Sequence, residues 1–309
     1  MFAERYSGNP VLEPSGNWWE SNAVFNCAVA DEGGKIHMLY RAVGADGISR
    51  FGYAWSEDGL RFERLPVAVY EGPAGDEFER LGCEDPRITP IDGAYYITYT
   101  GASVYPATEL RPPTFGSGPP WRCRVSLLST HDFRSFTRHG VILPDFDDKD
   151  AALFPVRIGG KYVMYHRMWP DIWVSYSDDL VHWHGHRVLM RPKPGSWDSE
   201  WIGAGAPPIR TDDGWLNFYH GVDRDGVYRL GVFYSDLDDP GKVLARSAEP
   251  TLNPEEAFEC IGPTCSVVFT CGAVERDGAY LIYYGGGDRS IGVATLARDG
   301  LKHVKMTRE

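Results

Sequence analysis

Two acids stand side by side in GCEDPRITPIDGAYYITYTGAS, Glu84 and Asp85, immediately before a Pro-Arg pair that opens an apolar strand. Adjacent like charges repel, and the plain reading of such a pair is a solvated loop. At a buried site the pair would acquire a use. A neighbouring like charge and partial burial both raise a carboxyl pKa, so Asp85 would keep a proton to donate as a general acid. Elsewhere the chain offers cations that could face such an acid: Lys149 in KDAALFP, Arg167 in YHRM and His220 in FYHG. His166 and His220 hold the same place in repeated segments, and the first is followed by Arg167. With Lys149 they would form a cationic pocket in an acidic protein, the setting for a bound oxyanion. The plain reading of each lone His or Tyr remains a core residue with its polar atoms satisfied.

An acid near a pocket lined by Tyr and Trp suits carbohydrate chemistry, because aromatic faces stack on sugar C–H surfaces and a protonated acid assists the leaving oxygen. Inverting hydrolysis also needs a second carboxylate to activate water, for which Asp198 or Glu200 would have to serve. Phosphorolysis needs only cations to hold a nucleophile that is already adequate. One acid with a cationic cluster therefore reads more naturally as phosphorolysis. A non-catalytic sugar-binding protein would keep the aromatics but have no need of Asp85 beside cations. His182, His184 and His186 alternate in VHWHGHR and could share a strand face, yet no second cluster completes a metal site, and none is expected. The six Cys lack C-x-x-C spacing, G-x-S-x-G is absent, and no glycine patch is followed by a phosphate-cradling helix.

The elements that must position these residues repeat along the chain. A turn followed by an aromatic strand recurs five times: GG-KIHMLYRA, DG-AYYITYTG, GG-KYVMYHRM, DG-WLNFYHGV and DG-AYLIYYGG. Gly-Gly and Asp-Gly between apolar strands predict type I′ hairpins, which need positive φ at both central residues. Each repeat is trailed by a strand ending in Ser or Thr and then Asp, degenerate in the last copy, GVATLARDGL. The Asp or Ser would bond the backbone of its own turn. Four antiparallel strands per unit, five units and no useful helical periodicity predict an all-β, five-bladed β-propeller. The whole of 1–309 is expected to be one such domain, with 1–20 across one face and 300–309 as terminal closure or tail. The strand before each hairpin turn would be innermost, placing its first residues at the mouth of a central channel.

The 43% hydrophobic content with 35 Gly and 22 Pro fits a packed, turn-rich protein. A net charge of −12 gives no reason to expect nucleic acid or an anionic membrane as partner. With no apolar run of spanning length and no signal-like N-terminus, the expectation is a soluble cytoplasmic protein.

The chain resembles glycoside hydrolase family 130, the β-mannoside phosphorylases and related mannosidases. The likeness rests on NPVLEP, WWESNAVFNCAV, the LYRA strand, GCEDPRIT, KDAALFP, YHR followed by DIWVSYSDDLVHW, GAGAPPI with GWLNFYHGV, and YYGGGDRSIGVA, in order along almost the whole length. The resemblance implies a five-bladed propeller and inverting attack of inorganic phosphate, the co-substrate, on a short β-1,2- or β-1,4-linked manno-oligosaccharide. The product would be α-mannose 1-phosphate, with no further cofactor. It makes Asp85 the general acid, passing its proton through a substrate hydroxyl. Lys149, Arg167 and His220 would bind phosphate, and Arg41, Arg50 and Asp288 would contact sugar. Glu84 could tune Asp85, bind sugar, or bond Arg87. Trp201 departs from the family, standing where many phosphorylases carry Lys before I-G-A-G. An inverting mannosidase remains the alternative. The Pro/Gly-rich stretch 102–122 could cap the pocket or meet a neighbouring subunit, which leaves a homo-oligomer open.

Overall fold

The computed structural model describes residues 3–108 and 121–308, so most of the 102–122 insertion lies outside the described residues. Regular structure is almost wholly antiparallel strand, and among the described residues the strands form five sheets. Blade one runs Ala23–Glu32, Lys35–Val43, Ser49–Ser56 and Glu63–Arg64; blade two runs Cys83–Ile91, Ala94–Val104, Trp121–Thr130 and Thr137–Leu143. Blade three follows with Lys149–Leu153, Tyr162–Met168, Asp171–Ser177 and Trp183–Met190. In blade four the inner strand is split into Trp201–Ala204 and Ile209–Thr211, both paired to Gly214–Val222. The intervening Pro207-Pro208 supplies no backbone N–H to a ladder. Tyr228–Ser235 and Val243–Ser247 complete that blade's meander, and Val268–Arg276, Ala279–Gly286 and Ser290–Ala297 begin blade five.

The strand preceding each hairpin packs against its counterparts around the axis, which makes the molecule the five-bladed β-propeller that the repeats predict. Its core is a ring of five apolar interfaces between adjacent blades. Val24, Ile36 and Met38 meet Tyr283 and Val293 between blades one and five, and Ile91 and Val125 meet Leu153 and Met164 between blades two and three. A blade buried on both faces needs no apolar–polar alternation, which accounts for runs such as AVFNCAVA.

The chain ends differ from expectation. Glu4–Arg5 pairs with Ser290–Ala297 and supplies the outer strand of blade five, where the degenerate repeat turns into the 3₁₀ segment Arg298–His303 instead. The C-terminal strand Met306–Arg308 adds to the edge of blade four. The head of the chain, not its tail, therefore fastens the last blade.

Four of the hairpin turns hold both central residues at positive φ, including Asp92 at 49° with Gly93 at 82°. Blade four differs, because its turn is Asp212-Asp213 and Gly214 is already paired with Thr211. Counting from the glycine therefore misaligns blade four by one residue. The true counterpart of Tyr40, Tyr99, His166 and Tyr284 is Tyr219, whereas His220 corresponds to Arg41 and Arg167. The two histidines that share a place in the sequence repeats do not share one in the structure.

Those tyrosines are core residues with satisfied hydroxyls, and their partners repeat. A buried carboxylate from the connection into each blade accepts the hydroxyl and also takes an arginine of the outermost strand. Glu20 holds Tyr40 at 2.8 Å and Arg64 at 3.4 Å, and Glu79 holds Tyr99 at 2.9 Å and Arg138 at 2.7 Å. Asp198 holds Tyr219 at 2.9 Å and Arg246 at 3.5 Å, while Glu259 holds Tyr284 at 2.7 Å and Arg5 at 2.8 Å. Blade three builds the same clasp from different side chains, Asp148 with His166, Ser175 and His186.

Candidate active site

The clustered residues are aimed by a bulge that opens on a left-handed Asn or Asp in three of the inner strands. In blade two Glu84 pairs with Thr100 and Arg87 with Thr98, so Asp85 and Pro86 together oppose Tyr99 alone. Blade one does the same with Asn26 and Cys27 opposite Tyr40, and blade three with Asp150 and Ala151 opposite His166. The first residue of each bulge is left-handed: Asn26 at φ 44°, Asp85 at 51° and Asp150 at 57°. Asn and Asp tolerate this conformation best among residues with a Cβ, and a bulge re-aims the side chain that it carries. All three side chains are buried.

Around them lies a cluster of alternating charge. Asp85 Oδ1 accepts from Asn26 Nδ2 at 2.9 Å and from Arg41 Nη1 at 3.2 Å. Arg41 Nη2 donates to Glu84 at 2.7 Å, and its guanidinium lies 4.7 Å over the ring of Phe25. Lys149 Nζ stands 3.8 Å from Asp85 Oδ2 and 4.0 Å from Glu84 Oε2. Its cross-strand neighbour is Arg167, whose Nε is 3.1 Å from Asp150 Oδ2. Asp150 also receives Arg87 at 3.2 Å, and His220 Nε2 lies 3.6 Å away. Gly203 opposite His220 is required here, since a Cβ would fall 2.3 Å from the imidazole and 2.5 Å from Asp150. Neither ring nitrogen of His220 has a hydrogen bond to protein, which leaves a fully buried imidazole unpartnered beside Asp150. Tyr228 stacks on His220 with centroids 5.8 Å apart, and Trp201 meets Tyr228 edge-on.

The electrostatics differ from the sequence expectation at two residues. Burial pushes the Asp85 pKa up, but Arg41, Lys149, Arg87 and the Asn26 hydrogen bond outweigh it and hold the carboxyl below its ordinary value. Without a ligand Asp85 is therefore an anion, because Glu84, the like charge thought to protonate it, is itself engaged by Arg41. His220 is a neutral imidazole: burial lowers its pKa, Asp150 opposes, and Arg167, Arg87 and Lys149 reinforce burial to bring it down to about 3. It does not supply the cation that the pocket was expected to draw from it. Burial and the charge of Asp85 raise the Asp288 pKa, against Thr264, Arg41 and Lys149. Burial would raise the Asp150 pKa, but Arg167, Arg87 and Lys149 hold it far below the carboxylate range.

The structure thus brings together Glu84, Asp85, Arg41, Lys149, Arg167 and His220, with Asp288 in their field. Arg50 is held apart, clamped by Asp46 at 2.7 Å and Glu71 at 2.7 Å beneath Trp18. Arg87 does not reach Glu84; it donates to the Asp85 carbonyl at 2.9 Å and to Asp150. Among the alternating histidines, His182 is taken by Asp179 and His186 by Ser175, while His184 is exposed 3.8 Å from Asp178. Among the described residues no group of side chains has the arrangement of a metal site. Asp198 is buried in the blade-four clasp, and Glu200 lines a separate cavity of about 790 Å³ with Trp197, Asp223 and Arg229. Sequence reasoning missed Asn26, Arg87, Asp150 and Tyr228. The signal for the first was a lone amide inside an apolar inner strand, and for the third an acid adjoining Lys149.

The family described as beta-1,4-mannooligosaccharide phosphorylase matches residues 5–306. A 1,2-beta-oligomannan phosphorylase of Thermoanaerobacter sp. strain X514 is 44% identical over 97% of this chain and 98% of its own length. A beta-1,2-mannobiose phosphorylase of the same organism is 45% identical over 96% and 98%. Among solved structures, the beta-1,2-mannobiose phosphorylase of Listeria innocua in complex with beta-1,2-mannobiose superimposes with a TM-score of 0.85. It has 26% identity and covers 98% of this chain and 99% of that one.

Proposed function

This chain belongs to glycoside hydrolase family 130, and from that premise we propose that it is an inverting β-mannoside phosphorylase acting first on β-1,2-linked manno-oligosaccharides. The observation that carries the reading is the cross-strand pair Lys149 and Arg167 with neutral His220 beside them, facing Asp85 across a few ångströms. Two adjacent cations and an imidazole N–H suit a phosphate dianion. The β-1,2 preference is supported by the two Thermoanaerobacter relatives.

In this reading phosphate is held by Lys149, Arg167 and His220, and the mannosyl unit by Arg41, Glu84 and Asp288. Arg50, clamped under Trp18, lines a separate cavity of about 200 Å³ and is given no part in holding this mannosyl unit. A phosphate oxygen attacks the anomeric carbon as the glycosidic C–O bond breaks on the opposite face. The leaving oxygen takes a proton supplied by Asp85 through a substrate hydroxyl, giving α-mannose 1-phosphate and a shortened sugar. Asp85 must be protonated to act, and phosphate provides the means. Arg41, Arg87, Lys149 and Arg167 balance Glu84, Asp85, Asp150 and Asp288, so an entering dianion leaves the cluster net negative and raises the Asp85 pKa. Hydrolysis is disfavoured because Asp150 is committed to arginines and Asp198 to Tyr219. Trp201, against Tyr228, would shape the acceptor end in place of the usual Lys. Six free thiols support a reducing, cytoplasmic setting, and no helix among the described residues is long and apolar enough to cross a membrane.

The test is incubation of β-1,2- and β-1,4-mannobiose with and without inorganic phosphate. Mannose 1-phosphate forming only with phosphate, and faster from the β-1,2 linkage, is the expected result. Phosphate-independent release of mannose would overturn the phosphorylase reading.

A further inference from the structure

We propose that Asp148, His166, Ser175 and His186 are positioning residues for the phosphate site, a hydrogen-bonded chain that fixes Arg167 from the outer edge of blade three. The proposal rests on Arg167 being a phosphate ligand. Its starting point is the one clasp that departs from the other four. In blade five both oxygens of Glu259 are occupied, by Tyr284, by Arg5 and by the backbone N–H groups of Glu255 and Glu256. In blade three the acid is Asp148, directly before Lys149. Its Oδ2 alone serves the clasp, 2.6 Å from His166 Nδ1, and its Oδ1 accepts the backbone N–H of Arg167 at 3.2 Å. An imidazole N–H occupies a single oxygen, and the other is thereby released to a residue of the site.

The chain continues outward. His166 Nε2 lies 2.6 Å from Ser175 Oγ, which lies 2.7 Å from His186 Nδ1. Asp148, His166 and Ser175 are buried, whereas His186 is exposed. Proton counting gives the chain a direction. In the tautomer that donates Nδ1–H to Asp148, Nε2 accepts from the Ser175 hydroxyl, and Ser175 Oγ then accepts from His186 Nδ1–H. Each link orients the next, so loss of the outer ones loosens the Asp148 carboxylate that holds Arg167. In the remaining blades the arginine and tyrosine clasps touch no residue assigned to phosphate, and a purely structural tie would not have needed a different chemistry here.

The experiment measures KM for phosphate and for β-1,2-mannobiose separately, with melting curves to establish folding. Ser175→Ala and His186→Ala are each expected to raise the phosphate KM roughly three- to tenfold, the loss of one hydrogen bond, and the mannobiose KM less. His186→Asn, whose Nδ2 replaces the Nδ1 donor, is expected to recover most of the loss. Should Ser175→Ala fail to fold, His186→Ala at the exposed end carries the same test. A phosphate KM within twofold of wild type in folded His186→Ala, or equal rises in both KM values, overturns the proposal. Arg167→Ala is measured in parallel: if it leaves phosphate KM unchanged, the assignment of Arg167 itself has failed.

Discussion

Replacing Lys149 by Met removes a charge while keeping a side chain of similar volume, and it should convert Asp85 from an anion into a group that holds its proton more readily. The Lys149 ammonium lies 3.8 Å from Asp85 Oδ2. At an effective dielectric near 20, two unit charges at that distance interact by about 4 kcal/mol, about three pKa units. In bulk water the same pair is worth about 1 kcal/mol. Arg41 and Asn26 remain in place, so the expected shift is upward by roughly one to three units, from a starting point below the ordinary aspartate value. The assay is isotope-edited infrared or NMR titration of aspartate carboxyls in the ligand-free enzyme, with the Asp85 signal identified by its loss in Asp85→Asn. Lys149→Arg should leave the midpoint near that of wild type. A Lys149→Met midpoint within half a unit of wild type, or lower, would refute the claim that the cations keep the resting acid ionised.

Other outcomes follow from the same geometry. Asp85→Asn, which keeps a residue suited to φ 51°, should fold normally and lose about 10²- to 10⁴-fold in both phosphorolysis and synthesis. Calorimetric titration with phosphate near neutral pH, in buffers of different ionisation enthalpy, should show more net proton uptake in wild type than in Asp85→Asn once the proton that phosphate itself sheds is common to both; equal proton linkage in the two would contradict the charge balance. Glu259→Gln removes the carboxylate that Arg5 meets at 2.8 Å, leaving Glu255 at 3.6 Å as its counter-charge, and should cost about 2 kcal/mol in urea unfolding. Hydrogen bonds from Arg5, the backbone and Tyr284 outweigh burial and lower the Glu259 pKa. Its contribution is therefore present above the unfolded value and lost as pH falls through the lower, folded one, so wild type should lose more stability than Glu259→Gln below about pH 4.

Much of the blade order was legible because hairpin turns and aromatic strands have strong local chemistry. The inner-strand bulges were not, since an extra residue in one strand is visible only against its partner. That hid Asn26 and Asp150, although Asp85 was reached through its neighbours in sequence. The glycine-based alignment failed in blade four for a local reason: Asp212-Asp213 forms the turn without a left-handed Asp-Gly pair, which moved His220 onto the wrong row. Charge states were least legible. The Glu84–Asp85 adjacency argues for a raised pKa until Arg41 and Lys149, distant in sequence by 43 residues or more, are seen against the two carboxylates. The fastening of blade five by Glu4–Arg5 had no local signature, because two residues carry no period.

The three bulges put one backbone geometry to three uses. Asn26, Asp85 and Asp150 occupy one position of one motif, with the same backbone twist, yet one donates an amide hydrogen bond, one is assigned the reacting proton and one anchors two arginines. The scaffold defines equivalent seats, and what each side chain does is set by its neighbours: Arg41 and Lys149 beside Asp85, Arg87 and Arg167 beside Asp150.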